Sequence, residues 1–183
     1  MIDFGCGVGH EFSYPHYAIV LNTHDRKKST LLTVVPLTSK KEKHAILRPH
    51  EYELKDSMYT LLGIKSLCSL NLKNPGNEEL SNDIEKVERS EIDKSTITMK
   101  YSSLVFAELK VHYKKDISFE KLLEYMKKGT IVETNQVNTV SKVRIIEPQK
   151  RNHILYGIKV SEEDLAGIRT LVKNNIIESA VDS

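Results

Sequence analysis

Apolar residues form two runs near the start of the chain, YAIVLN at 17–22 and TLLTVVPL at 30–37. Both runs are rich in β-branched residues, and the polar stretch THDRKKS at 23–29 separates them. Such a pair of runs around a polar connection predicts a β-hairpin with buried faces. The earlier residues IDFG, at 2–5, predict the end of a short strand.

The clearest helical pattern lies at 161–178, near the other end of the chain. Ser161 is placed to cap this helix, and acidic residues occupy its first turn. Its apolar stripe consists of Leu165, Ile168, Leu171 and Val172. A second helix is predicted at 118–128, with Ser118 as its N-cap.

The middle of the chain has a mixed pattern. Residues 78–92 carry apolar positions near helical spacing, which is typical of an amphipathic helix or a charged loop. SLVFAELKVHY at 103–113 predicts a strand, and 130–146 predicts one or two strands. Strands at both ends with a final helix indicate a small β-barrel or a strongly curved sheet.

Composition places the chain among ordinary globular proteins. Of its 183 residues, 39% are hydrophobic and 28% are charged. No apolar run approaches the roughly 20 residues of a membrane span, and the first residues lack a signal-peptide pattern, so we expect a cytoplasmic protein without a membrane partner. Cys6 and Cys68 are expected to be free thiols, and without a zinc-ligand motif we expect no metal and no cofactor.

Charge is distributed unevenly along the chain. Residues 40–48 (KKEKHAILR) are basic and directly follow Thr38 and Ser39, whereas residues 78–93 are acidic. A basic patch beside polar side chains favours a polyanion such as nucleic acid as the partner. A solvated loop is the alternative explanation for the same cluster.

Three blocks of sequence resemble the MazF/PemK family of toxin endoribonucleases. They are IDFGCGVGHEFSYPHYAIVLN at 2–22, VVPLTSK at 34–40, and TNQVNTVSKVRI at 134–145 followed by a closing helix at 157–176. The chain departs from the family pattern where an Arg-Pro pair is usual, because His16 and Tyr17 stand there. The resemblance implies one domain formed by 1–54 and 127–183, with an insertion at about 55–126.

The resemblance implies both a fold and an activity. The expected fold is mainly β with helices, namely an SH3-like small β-barrel like those of MazF and CcdB, with a C-terminal helix and an α/β insertion. The expected activity is metal-independent cleavage of single-stranded RNA by attack of the ribose 2′-OH. Relatives of this kind are homodimeric toxins held in check by a cognate antitoxin, more often protein than RNA.

Two residues are the expected catalytic groups. His16 suits proton transfer, because an ordinary imidazole titrates near pH 6.5. Thr38 can donate its hydroxyl to a non-bridging phosphate oxygen. The expected RNA-binding residues are His10, Glu11, Tyr14, Ser39, Lys40, Asn135 and Gln136. Aromatic rings such as that of Tyr14 can stack on unpaired bases, whose edges an A-form duplex hides.

Other interpretations remain open from sequence alone. His16 and Thr38 could be structural groups at strand ends, and Tyr14 could belong to the core. A non-catalytic protein that binds nucleic acid or gyrase on the same barrel is one alternative, because fold does not fix function. Another is an interaction module in which the acidic residues 78–93 cover the basic patch at 40–48.

Overall fold

The protein is a mixed α/β structure with antiparallel sheets, containing 44% helix and 18% strand. The computed structural model describes residues 1–7, 11–22, 29–41, 44–112 and 119–178. The expectation of a mainly β fold is wrong, because helices occupy most of the region between residues 58 and 127. No helix in the described part of the chain is long and apolar enough to cross a membrane.

The described part of the chain contains seven strands in two sheets. They are β1 (Ile2–Asp3), β2 (Pro15–His16), β3 (Ala18–Val20), β4 (Leu31–Ser39), β5 (Glu51–Glu53), β6 (Thr130–Glu133) and β7 (Asn138–Ser141). β1 and β2 form a two-stranded sheet, and the other strands form a five-stranded sheet in the order β3-β4-β6-β5, with β7 also paired to β4. All pairings are antiparallel. The described strands do not form a closed barrel.

The hairpin predicted at 17–37 is confirmed. β3 pairs with β4 in a register that sets Ala18 opposite Pro36 and Val20 opposite Val34. Val34, Val35, Pro36 and Leu37 are all buried, so β4 is covered on both faces. β4 is therefore the central strand, paired with β3, with β6 and with β7.

A small apolar core links the two sheets. It contains Ile2, Leu32, Val34 and Val140, with Phe4, Ala18 and Ile145 packed against it. Ile2 pairs with His16 in β2 and also forms a bridge to Ile145. The first strand is thus held from two sides, which fixes the position of β2.

The described residues form six α-helices, five of them between β5 and β6 and the sixth after β7. They are α1 (Met58–Lys73), α2 (Glu78–Glu88), α3 (Lys94–Lys100), α4 (Ser102–His112), α5 (Phe119–Lys127) and α6 (Glu162–Val172). The strand predicted at 103–113 is wrong, because α4 covers that region. Residues 78–92 were expected to form either an amphipathic helix or a charged loop, and the structure has helix α2 there. α5 confirms the helix predicted at 118–128, while its proposed cap Ser118 lies outside the described residues.

The chain divides into two compact units. The sheet unit contains Met1–Lys55, Thr130–Arg151 and Lys159–Ser183, and the helical unit contains Asp56–Gly129 and Asn152–Ile158. The described residues of 56–129 form helices and no strand, so the expectation of an α/β insertion is wrong in its β part. The assignment of a MazF/PemK-like domain to 1–54 and 127–183 stays a prediction.

α6 packs on β5 within the sheet unit. Ser161 caps the helix as predicted, since its side chain accepts a hydrogen bond from the backbone N–H of Asp164 at 3.0 Å. The Asp164 side chain is only 1% exposed by residue area and accepts a hydrogen bond from the Tyr52 hydroxyl at 3.1 Å. A Cβ on Gly167 would lie 2.5 Å from the Tyr52 ring, so the close approach of helix and strand requires glycine there.

Candidate functional site

His16 and Thr38 lie on neighbouring strands at the same end of the sheet unit. The β3–β4 register sets Ala18 opposite Pro36, and the backbone N–H of Leu37 donates to the carbonyl of Tyr17 at 2.9 Å. Continued by one more residue, this register would set His16 opposite Thr38. Residues opposite one another on antiparallel strands project from the same face. Extended in this way, the register would place the two side chains on one side of the β3–β4 hairpin, while β2 itself pairs with β1 in the two-stranded sheet.

The imidazole of His16 is half-buried between aromatic rings. Its ring centre lies 4.7 Å from that of Phe12 in an edge-on arrangement, and 6.4 Å from that of Phe4. This burial lowers the pKa of His16 from its ordinary value of 6.5. The carbonyls of Leu37 and Ser13 partly offset the effect, and the charge of Lys41 lowers the pKa further. At neutral pH the imidazole is therefore uncharged and able to accept a proton.

Thr38 and Ser39 are the last two residues of the central strand, β4. Both are half-buried, and both pair with β6, where they face Ile131 and Thr130. Pairing with β6 fixes the backbone of Thr38 on the side away from β2. A hydroxyl on such a rigid element is a suitable fixed donor for a phosphate oxygen.

Lys40 is held by an ion pair. Its Nζ lies 2.8 Å and 2.7 Å from the two carboxylate oxygens of Glu53, and each side chain is 34% exposed. The lysine charge expected near a phosphate is therefore balanced by a carboxylate. Glu53 has no signal in the sequence, because it comes to the end of β4 through the pairing of β6 with both β4 and β5.

The loop before β2 presents an aromatic ring to solvent. Tyr14 is 67% exposed, which rules out a core role, and its φ of 65° is uncommon for a residue other than glycine. Backbone hydrogen bonds with Phe4 and Gly5, at 3.2 and 2.7 Å, hold this conformation. Glu11 is exposed in the same loop, while His10 lies outside the described residues.

The region predicted at 130–146 as one or two strands forms two, β6 and β7, and Asn135 and Gln136 lie in the loop between them. Leu37 of β4 pairs with Val132 of β6, and Val34 of β4 pairs with Asn138 of β7. The two paired positions are three residues apart in β4 and six residues apart in the opposite segment. The extra residues form a bulge, a feature that re-aims side chains beside functional sites. Asn135 is exposed and Gln136 is half-buried.

The basic stretch at 40–48 is less positive in the structure than in the sequence. Lys40 is paired with Glu53, and Nε of Arg48 lies 3.9 Å from Glu51. His44 is buried, at 1% exposure, while Lys41 is exposed. Lys43 lies outside the described residues.

One group of described side chains could hold a metal ion. His44, Glu51 and Glu133 each offer a ligand atom, and the three atoms lie within 4.8 Å of one another. Sequence analysis assigned none of these residues a role. Their spacing gives no local signal, because the pairing of β5 with β6 is what brings Glu133 to Glu51.

Comparisons with protein-family models, curated proteins and solved structures find no match to this chain. The functional interpretation therefore depends on the geometry of the site and on the sequence motifs.

Proposed function

We propose that the sheet unit is a metal-independent endoribonuclease that cleaves single-stranded RNA, and that the protein is the toxin of a toxin–antitoxin pair. The observation that carries the proposal is the register of β3 and β4 together with the hydrogen bond from Leu37 to Tyr17, which brings His16 and Thr38 to the same end of this strand pair. The resemblance of three sequence blocks to the MazF/PemK family supports it. The neutral, half-buried imidazole supports it as well.

The two groups divide the chemistry between them. The neutral imidazole of His16 takes the proton from a ribose 2′-OH, and the 2′ oxygen attacks the adjacent phosphorus. Thr38 donates a hydrogen bond to a non-bridging oxygen, where negative charge increases in the transition state. The bond from phosphorus to the 5′ oxygen breaks, and that oxygen takes a proton from the imidazolium or from water. The products are a 2′,3′-cyclic phosphate and a 5′-OH.

Exposed polar and aromatic groups beside the site suit unpaired RNA. Tyr14 offers a solvent-facing ring, and stacking on such a ring is worth about 1–3 kcal/mol per base. Asn135 offers an exposed amide on the bulge, and Glu11 is exposed in the loop before β2. Ser39 adds a second hydroxyl next to Thr38. Base edges are accessible to such groups in single strands and mostly hidden in A-form duplexes.

The same proposal extends to fold and partners. We assign the sheet unit to the SH3-like barrels of the MazF and CcdB type, and the pairing of Ile2 with both His16 and Ile145 supports this assignment. The protein then acts as a homodimer in the cytoplasm. A cognate antitoxin, in most relatives a protein and in some an RNA, covers the RNA-binding face.

Cleavage in the presence of EDTA tests this function. Purified protein is incubated with a mixed-sequence single-stranded RNA and with DNA of the same sequence, and the product ends are identified. We expect RNA alone to be cut, leaving 2′,3′-cyclic phosphate ends. His16→Ala should reduce the rate by about 10²–10⁴-fold, and Thr38→Ala by about 10²–10³-fold.

The matched control is Thr139→Ala, which removes an exposed strand threonine of β7. It should cleave at the wild-type rate. Loss of cleavage in EDTA, cutting of the DNA, or full activity in both site variants would contradict the proposal.

A non-catalytic binder of nucleic acid is the second candidate. Two observations favour it: Lys40 is neutralised by Glu53, and the His16 ring is fixed between aromatic side chains and backbone carbonyls. In that case the protein binds RNA or DNA with a measurable dissociation constant, yet the RNA keeps its original ends. The same incubation separates the two functions.

A further inference from the structure

We propose that His44, Glu51 and Glu133 bind a divalent transition-metal cation of the zinc type, at a site separate from the proposed nuclease residues. The three ligand atoms lie within 4.8 Å of one another. All three residues belong to the sheet unit: His44 follows β4, Glu51 begins β5 and Glu133 ends β6.

The two buried members face each other without a hydrogen bond. Nε2 of His44 lies 3.7 Å from Oε1 of Glu51, and the side chains are 0% and 1% exposed. Hydrogen bonds of this kind are about 2.7–3.2 Å long, so the atoms are too far apart to bond directly. Neither atom has another hydrogen-bond partner among the described residues. Buried, unpartnered polar atoms are unfavourable, which indicates that a further species lies between them.

Charge within the sheet points to a cation as that species. Glu51 and Glu133 are directly opposite one another on β5 and β6. Like charges in this position destabilise a sheet unless positive groups compensate them. The guanidinium of Arg48, with Nε 3.9 Å from Oε1 of Glu51, belongs to a side chain that is 58% exposed. Nε2 of His50 lies 3.7 Å from Oε2 of Glu133, again beyond hydrogen-bond length.

The donor atoms suit zinc in both type and spacing. Imidazole and carboxylate groups bind zinc at about 2.0–2.2 Å, so donors in a tetrahedral site lie about 3.3–3.6 Å apart. The separation of 3.7 Å between His44 and Glu51 is close to this range. A hydrogen bond from the backbone N–H of Arg48 to Oε2 of Glu51, at 3.0 Å, holds the Glu51 carboxylate in its orientation.

Metal binding requires one local rearrangement. Nδ1 of His44 accepts a hydrogen bond from the backbone N–H of Lys41 at 2.9 Å, so the neutral ring carries its proton on Nε2. A metal bound to Nε2 of a neutral imidazole requires the ring proton on Nδ1. The Lys41 amide then loses its acceptor. Lys41 is also the residue whose charge lowers the pKa of His16.

Zinc titration of the chelator-treated, tag-free, full-length protein tests the site. We expect one zinc ion per chain by calorimetry, and a Tm that rises with zinc concentration. Glu133→Gln, Glu51→Gln and His44→Gln should each raise the dissociation constant at least tenfold, since even outer-shell partners contribute about 10–100-fold. Because Glu133 is the most exposed of the three, its variant is the least disruptive to folding.

The control variant is Glu53→Gln, which removes the same charge two residues along β5 from Glu51. It should bind zinc as the wild type does. Hydrogen exchange at the Lys41 amide should become faster when zinc is added. Absence of stoichiometric binding, or equal zinc affinity in Glu133→Gln and Glu53→Gln, would overturn the proposal. The readout is zinc binding itself, so the outcome is independent of whether the protein cleaves RNA.

Discussion

Burial favours the neutral form of His16 by lowering its pKa. The rings of Phe4 and Phe12 remove water from the imidazole, and removal of water disfavours the charged form. The pKa of His16 is lowered below 6.5 for this reason, although the carbonyls of Leu37 and Ser13 limit the shift. Because its pKa lies below 6.5, His16 is mainly in the neutral form at neutral pH, and this form can act as a base.

The pH dependence of cleavage should report this lowered pKa. We expect kcat/KM to fall as the pH drops through the pKa of His16, with its midpoint below 6.5, because only the neutral ring accepts a proton. Phe12→Ala opens the ring to water and should move the midpoint up towards 6.5. Thr139→Ala should leave the midpoint unchanged. A rate that increases as the pH falls would show that the imidazolium is the required form and would contradict the base role.

The elements of the helical unit meet at a glycine. A Cβ on Gly63 of α1 would lie 2.2 Å from Cγ2 of Thr98 in α3. Thr98 is fully buried, and its Oγ1 donates to the carbonyl of Lys94 at 2.7 Å, so the methyl group cannot rotate away without losing that bond. The close approach of the two helices therefore depends on the missing side chain.

Gly63→Ala should destabilise the protein despite the better helix propensity of alanine. Overpacking of a buried contact costs about 1–3 kcal/mol, whereas replacing glycine in a helix contributes about 1 kcal/mol. Thr98→Ser keeps the hydroxyl and removes the methyl group, so it should relieve the clash when combined with Gly63→Ala. Urea unfolding of both single variants and the double variant measures this coupling. Equal stability of wild type and Gly63→Ala would contradict the packing argument.

Elements with one clear pattern were predictable from sequence, and elements with an ambiguous pattern were not. The hairpin at 17–37 and the Ser161 cap match the structure. The sequence SLVFAELKVHY at 103–113 predicts a strand, whereas the structure has helix α4 there. In α4, Val105 and Leu109 are buried four residues apart, while Val111 is 55% exposed. A short apolar run fits both the helical period and the strand period, and tertiary packing decides which of the two forms.

At the scale of the whole molecule, long-range pairing determines what sequence could not show. The pairing of β5 with β6 brings Glu51 to Glu133. The bulge before β7 likewise depends on how both β6 and β7 meet β4. By contrast, the pairing of β3 with β4 connects segments close in sequence, and this is why His16 and Thr38 could be proposed together.

The central claim is that His16 and Thr38 act together at one phosphate. Single-turnover cleavage of one RNA by the wild type, by His16→Ala, by Thr38→Ala and by the double variant tests it most directly. Groups that act in the same step give non-additive losses. We predict that each single variant is at least about a hundredfold slower, and that the double variant loses less than the product of the two. Wild-type rates in both single variants, or a double loss equal to that product, would contradict a shared site.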